Sequence, residues 1–197
     1  MYGDDFTFDE IRQWYEDEKE GYAELVKNYP KSYHYGYHKV NQLFGYRFLP
    51  KRKYKNVLGI GSAYGDEFSP ISAMTENVYI LEPSDNLKSS KIGETSVVYK
   101  KPNINGSIDF PDNYFDLIVC LGTLHHIPNV TYVLSELYRC LNRGGYVLLR
   151  EPINSMGNWR QKRAGLTKRE RGIPYSYFEK ILPDLGFKQI KRSLFLP

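Results

Sequence analysis

Apolar residues recur at helix-like spacing at the start of the chain. Ile11, Trp14, Tyr15, Tyr22 and Leu25 mark one face of a helix over about 6–27, with Asp9 or Thr7 as its cap. Pro30 interrupts it, and a second helical piece is expected over about 31–48, up to Pro50. Beyond that the period changes. Short runs rich in Val, Ile and Leu, hardly alternating with polar residues, cover 56–60, 77–81, 96–99, 115–121 and 145–150. Such runs are what strands buried on both faces show. Helical candidates lie between them near 64–74, 85–91 and 129–142, and Asn142-Arg143-Gly144-Gly145 is expected to end the last of these and launch the next strand. This alternation predicts βαβ units, hence an α/β fold with a mostly parallel central sheet and helices on both faces. A last helix near 175–185 and a strand near 187–195 complete the expectation.

The pattern divides the chain into an N-terminal helical cap over 1–50, packing on the sheet, and a sheet domain over 51–197 with an insert at about 150–174. Leu194-Phe195-Leu196 would normally be followed by an antiparallel partner strand. With none following, the sheet is expected to be one strand short or the chain a piece of a longer protein. Hydrophobic residues are 41% and charged residues 25% of the 197, which fits a folded chain and not a disordered one. No stretch approaches the roughly 20 apolar residues of a membrane span, so no membrane partner is expected. The acidic start Met1-Tyr2-Gly3-Asp4-Asp5 is unlike a secretory signal. Two cysteines among apolar neighbours, Cys120 and Cys140, read as reduced core residues of a cytoplasmic protein.

Charge changes the picture through its distribution. The net charge of +4 is mild, yet 4–20 is acid-rich while 150–171 holds seven Arg and Lys against two Glu. Eighteen tyrosines are present, with a cluster at Tyr29, Tyr33, Tyr35, Tyr37 and Tyr46. For Tyr33, Tyr35 and Tyr37, with His34 and His38, packing of the N-terminal helices on the sheet is the expected role.

The first strand feeds Gly59-Ile-Gly61-Ser-Ala-Tyr-Gly65, and the second ends at Leu81-Glu82-Pro83. Glycines let the backbone turn sharply and approach a ligand, and a following helix would present free N–H groups. In an open parallel sheet ligands sit beyond the carboxyl ends of the strands, so a carboxylate at the second strand tip can accept the hydroxyls of a ribose. Loop and Glu82 together point to an adenosine-containing ligand. The spacing Gly61-x-x-x-Gly65, with Ala63 between, lacks the dinucleotide G-x-G-x-x-G pattern, which counts against an oxidoreductase. Asp66 and Glu67 would repel a phosphate, so an adenosyl group bearing a cation fits better.

In these residues the chain resembles the class I S-adenosylmethionine-dependent methyltransferases of the methyltransferase-11 type. The resemblance runs over roughly 53–150 and includes Asp109-Phe-Pro-Asp-Asn-Tyr-Phe-Asp116, Leu124-His-His-Ile-Pro128 and Leu141-Asn-Arg-Gly-Gly-Tyr-Val-Leu-Leu149. It implies a Rossmann-like three-layer fold and S-adenosyl-L-methionine as cofactor. Gly59, Gly61, Ser62, Ala63 and Gly65 would lie at its methionine part, Glu82 and Pro83 at the ribose, Asn105 to Ile108 at the adenine, and Leu121 at the amino-acid end. The family usually carries an acid where Gly59 stands and a glycine where Ala63 stands. Asp66 or a backbone carbonyl would then have to receive the cofactor's ammonium.

Methyl transfer from a sulfonium chiefly needs alignment of acceptor, methyl and sulfur, and a hydroxyl acceptor also needs a base. His126, and after it His125, are the candidates just past the strand at 115–121. The basic insert is expected to act as a lid, with Arg150, Glu151, Trp159, Arg160 and Arg163 meeting a phosphate or carboxylate on a small or glycan-like acceptor. Pairing with the acidic N-terminal helix is the alternative use of those charges. A nucleic-acid methyltransferase and a non-catalytic cofactor-binding module of a longer protein are the other readings. Against the former, no Asp/Asn-Pro-Pro-Tyr/Phe tetrapeptide follows the strand at 115–121.

Overall fold

The computed structural model describes residues 3–28, 35–158 and 160–194. Two helices open it, α1 (Phe8–Glu18) and α2 (Gly21–Asn28), so the single helix expected over 6–27 breaks near Lys19. Thr7 is the cap, in a reciprocal arrangement with Glu10: the Glu10 N–H donates to Thr7 Oγ1 and the Thr7 N–H to Glu10 Oε2. The next expected helix shortens to α3 (His38–Phe44), which Gly45 ends before a 3₁₀ turn at Tyr46–Phe48. Residues 31–34 of that expectation, His34 among them, lie outside the described residues, as do Tyr29, Tyr33 and Phe195–Pro197.

The sheet is formed by β1 (Tyr54–Ile60), β2 (Thr75–Leu81), β3 (Lys91–Ile92), β4 (Thr95–Lys100), β5 (Phe115–Leu121) and β6 (Leu141–Arg150), five of them at the expected places and β3 in addition. Their order is β3-β4-β2-β1-β5-β6. All pairings are parallel except the short β3–β4 hairpin. The chain steps outward from β1 through β2 to β4, then returns to β5 on the other side of β1. That reversal leaves a crevice at the carboxyl ends of β1 and β5.

Successive residues of β1 and β5 face opposite layers. Leu58, Ile60, Ile118 and Cys120 pack with α4 (Val130–Cys140) and α5 (Tyr175–Leu185), whereas Val57, Leu117 and Val119 pack with Phe68, Ile71, Tyr46 and Leu49. Both faces of the central strands are thus buried, which explains the unbroken apolar runs.

Three expected elements differ. The segment 64–74 forms a 3₁₀ stretch, Asp66–Met74, entered from left-handed Gly65 and carrying Pro70, which lacks the N–H that an α-helix would use. Where a helix was expected over 85–91, residues 85–90 form a loop that leads into β3 and is organised from outside: Glu20 accepts from Ser84 Oγ, the Asp85 N–H and Asn86 Nδ2, and Tyr99 Oη accepts the Ser89 N–H. Residues 187–194 form no strand. Ile190 and Leu194 there are 68% and 62% exposed, so apolar character alone, without a neighbouring edge, does not produce one. The Asn142–Gly145 stretch falls inside β6, after α4 has ended at Cys140, where the β5–β6 register shifts.

Candidate functional site

Four strand ends build the floor of a cavity of about 410 Å³. After β1 the backbone bends through Gly61 (φ +59°), Ala63 (φ +45°) and Gly65 (φ +80°). The bend is held from both sides. The Gly61 N–H donates to Leu81 O at 2.8 Å, Thr123 Oγ1 donates to Ile60 O at 2.8 Å, and Tyr99 Oη donates to Ala63 O at 2.8 Å. Glu82 crosses from β2 to accept the Ala63 N–H at 3.0 Å on Oε2 and the Ser84 N–H at 2.9 Å on Oε1. It is 4% exposed, and burial, opposed by those two N–H bonds, pushes its carboxyl up to about 7.

Gly61, Ser62, Ala63, Glu82, Pro83, Ile108 and Leu121 all line the cavity. Gly59, Gly65 and Asn105 lie behind it. A Cβ at Gly59 would overlap Ser62 Oγ and the Phe68 ring, so no acid can stand there without moving them. Gly65 is packed on Ile80 and Ile92, and the Asn105 side chain closes its own loop by accepting from the Ser107 N–H and Oγ. Asp66, the expected substitute acid, is not at the cavity. Glu67 is. Its buried carboxylate accepts Ser62 Oγ at 2.6 Å, and burial raises it to about 7 against the pull of Ser62 and Arg150.

A second wall is aromatic. Tyr35 and Tyr37, expected to pack the N-terminal helices on the sheet, line the cavity. The Arg150 guanidinium lies 4.0 Å from the Tyr37 ring centre and donates to Asn41 Oδ1 at 2.8 Å and to Leu121 O.

The third wall brings together α1, the 3₁₀ turn at Leu124–His126 and the insert. Glu18 accepts from His126 Nδ1 at 2.8 Å, from Thr167 Oγ1 at 2.6 Å and from the Arg169 N–H. Asp17 beside it pairs with Lys168 and Arg169. Trp14 Nε1 donates to His126 O at 2.7 Å, and the Arg171 guanidinium lies 4.6 Å from the Trp14 ring. Gly165, Thr167 and Glu170 of the basic insert line the cavity, while its Lys168 and Arg169 pair with the acidic helix, the alternative use considered for those charges. The adjacent histidines, with ring centres 4.1 Å apart, both line the cavity. His125 is bonded at both nitrogens: Nδ1 to Glu151 Oε2 at 2.7 Å, Nε2 to Glu170 Oε1 at 3.3 Å. Burial would lower its pKa, but the two carboxylates outweigh burial and raise it to about 9. Burial would raise Glu170, and the His125 bond instead holds it near 2.

The residues expected to hold an anionic acceptor mostly lie elsewhere. Glu151 is buried under the 3₁₀ turn, accepting the N–H groups of Thr123, Leu124 and His125. Arg163 binds the carbonyls of Met156, Thr167 and Glu170 within the insert. Arg160 is exposed and off the cavity, and Trp159 lies outside the described residues. Of the four that are described, Arg150 alone lines the cavity. Sequence reasoning missed Tyr15, Glu18, Glu67, Thr167 and Glu170; the opposed charges of 4–20 and 150–171 were the signal for Glu18.

Comparison with known proteins places this geometry in context. A family model described as a methyltransferase domain matches residues 33–189. The ubiquinone/menaquinone biosynthesis C-methyltransferase UbiE of Psychromonas ingrahamii is 29% identical over 126 residues, 59% of this chain and 50% of that enzyme. The chain therefore spans about half the length of that relative. Among solved structures, the phosphoethanolamine N-methyltransferase 2 of Haemonchus contortus, in complex with phosphomonomethylethanolamine and S-adenosylhomocysteine, superimposes with a TM-score of 0.67. The identity is 17%, over 90% of this chain and 44% of that one. A SAM-dependent methyltransferase from Leishmania major gives 0.62 at 14% identity over 94% and 83%.

Proposed function

This chain belongs to the methyltransferase-domain family, whose methyl donor is S-adenosylmethionine, and from that premise we propose that it methylates a small acceptor held between the crevice at the strand ends and the α1–insert cover. The residues present fit the donor. The bend at Gly61–Ala63 leaves no Cβ at Gly61, where one would meet Thr123 Cγ2 at 2.5 Å. Glu82 uses one lone pair of each oxygen on backbone N–H groups, leaving acceptor capacity for two ribose hydroxyls. The donor supplies an electrophilic methyl on a sulfonium that leaves as a neutral thioether.

What the protein contributes is placement. Holding the reacting groups in line is worth about 7–11 kcal/mol of barrier. Glu82 and the glycine bend fix one end of the cavity. Tyr35, Tyr37 and Arg150 form one side, and Glu18, His126 and Thr167 form the acceptor side. His125, bonded at both nitrogens, is a positioning residue. His126 meets Glu18 through Nδ1, which leaves Nε2 as its basic nitrogen for an acceptor proton.

The observation that carries this reading is the partial cover over the crevice. Tyr15, Glu18, Lys19 and Tyr22 of the N-terminal segment line the same cavity as Glu82. A partly covered cavity of this size suits a small molecule better than a nucleic-acid strand. The pairing of Lys168 and Arg169 with Asp17, and of Arg163 with carbonyls, also removes the basic surface that the nucleic-acid reading needed. The same pairing withdraws support for an acceptor gripped by several arginines. Calorimetry with S-adenosylhomocysteine tests the proposal: one-to-one binding that Glu82→Ala weakens supports it, and no binding by the wild type overturns it.

A further inference from the structure

We propose that His125, His126 and Glu170 form a binding site for one divalent transition-metal ion on the wall of the cavity, with Glu18 orienting His126. One donor atom each from His125, His126 and Glu170 lie within 4.8 Å of one another. Glu18 Oε2 stands 2.8 Å from His126 Nδ1 and fixes that ring. Donors held about 2.0–2.2 Å from a metal in a tetrahedron stand about 3.4 Å apart. The 3.3 Å between His125 Nε2 and Glu170 Oε1 already matches that spacing.

The surroundings are arranged as a metal centre requires. Glu151 takes the other nitrogen of His125 at 2.7 Å and keeps a proton on Nδ1, so the Nε2 proton, which faces Glu170, is the one a metal ion would displace. A carboxylate behind a ligating imidazole fixes the tautomer and raises ligand basicity. Glu151 is itself immobilised by three backbone N–H groups. The side chains of Glu18, Glu151 and Glu170 are 7%, 2% and 11% exposed, so three carboxylates converge with little water on two imidazoles. A dication inserted among neutral imidazoles offsets that negative charge. Two imidazoles with carboxylates suit Zn²⁺, Co²⁺, Fe²⁺ or Mn²⁺, whereas Mg²⁺ and Ca²⁺ prefer oxygen alone.

The three donors come from two separate stretches of chain, the 3₁₀ turn and the insert, and Glu18 ties the end of α1 to them through His126. An ion there would clip the insert onto the sheet. All three ligands line the cavity, and three protein donors leave a tetrahedral ion one position for the acceptor. With the ion bound, His126 serves as a ligand, and polarisation of an acceptor oxygen by the metal replaces proton removal by the imidazole. The site stands on its own donors and does not rest on the methyl-transfer reading.

Protons on the imidazoles would satisfy the same side chains, so the test must separate the two. The full chain, stripped with a chelator, is titrated with Zn²⁺ by calorimetry and with Co²⁺ by visible absorption. The expected result is one ion per chain at micromolar or tighter affinity, the ligand-field band of a low-coordinate Co²⁺ centre, and a raised melting temperature. Glu170→Gln and Glu18→Gln should each weaken binding about tenfold or more, and Glu151→Gln about 10–100-fold through His125. Should the variants not fold, the imidazole NMR signals of the wild type decide. Zn²⁺ must shift those of His125 and His126 and leave His38 unmoved. Absence of saturable binding, binding unchanged in Glu170→Gln and Glu18→Gln, or shifts confined to the other histidines overturns the proposal.

Discussion

Ala63 donates its backbone N–H to Glu82 Oε2 at 3.0 Å, and this bond joins the left-handed bend after β1 to the tip of β2. With Ser84 on the other oxygen, the carboxylate is fixed in orientation before any ligand arrives. Hydrogen bonds to a charged group are worth about 1.5–3 kcal/mol each. Glu82→Ala should therefore weaken S-adenosylhomocysteine binding by about tenfold to a hundredfold. Glu82→Gln, which keeps one acceptor, should fall between the two. Calorimetry checks this, and binding within twofold of wild type in Glu82→Ala would remove Glu82 from the site.

Gly61 and Gly93 offer a controlled pair of substitutions. Both have nearly the same left-handed φ, +59° and +58°, but a Cβ at Gly61 meets Thr123 Cγ2 at 2.5 Å while one at Gly93 finds nothing nearer than Ser72 Oγ at 3.5 Å. Gly93→Ala carries the backbone strain alone, about 1–2 kcal/mol. Gly61→Ala adds the collision and should cost more in urea denaturation. It should also abolish cofactor-product binding, which Gly93→Ala leaves intact. Equal stability losses, or retained binding in Gly61→Ala, would refute the role given to the bend.

Why some of this was legible in the sequence and some not follows from how each residue reaches its place. The strands at 54–60, 75–81, 115–121 and 141–150 announce themselves because a parallel sheet buried on both faces needs unbroken Val, Ile and Leu. Gly61, Ala63 and Glu82 follow from strand ends, and topology alone brings strand ends together. Glu18, Thr167 and Glu170 could not be read this way. They come from segments about 150 residues apart in sequence, whose meeting depends on tertiary packing and not on local pattern. Arg163 shows the converse: its charge drew attention, yet its guanidinium is used on the insert's own carbonyls. Glu67 was adjacent to the acid favoured in its place, because a 3₁₀ path rotates successive side chains differently from an α-helix.

Glu67 also gives a pH dependence with a definite sign. Its folded value is raised from 4.5 to about 7, chiefly by burial, so the folded chain holds this proton more tightly than the unfolded one. The stability it contributes is fully present below pH 4.5 and is lost as pH rises through 7. Glu67→Gln removes that dependence. The variant should gain on the wild type between pH 5 and pH 8 by about 2–4 kcal/mol, with most of the gain before pH 7.5. Glu82 titrates in the same window in both proteins and cancels in the comparison. Denaturation of both at several pH values measures it. A stability difference that is flat with pH would mean that Glu67 is not buried as described.

Trp14 separates the packing of the cover from its hydrogen bonding. The indole is 2% exposed, stands edge-on to Phe6, lies under the Arg171 guanidinium and donates to His126 O at 2.7 Å. Trp14→Phe keeps a ring but leaves a carbonyl beside the cavity without this donor, at a cost of about 1–3 kcal/mol. Trp14→Ala removes the ring as well, at about 3–5 kcal/mol. Because α1 reaches the rest of the site largely through Trp14, Asp17 and Glu18, the loss should appear locally. Amide exchange should quicken over 8–18 and 167–171 in both variants, while β1 and β5 stay protected. If exchange instead rises uniformly across the sheet, α1 belongs to the same cooperative unit as the core. The cavity then opens only by global unfolding, and a separable cover is ruled out.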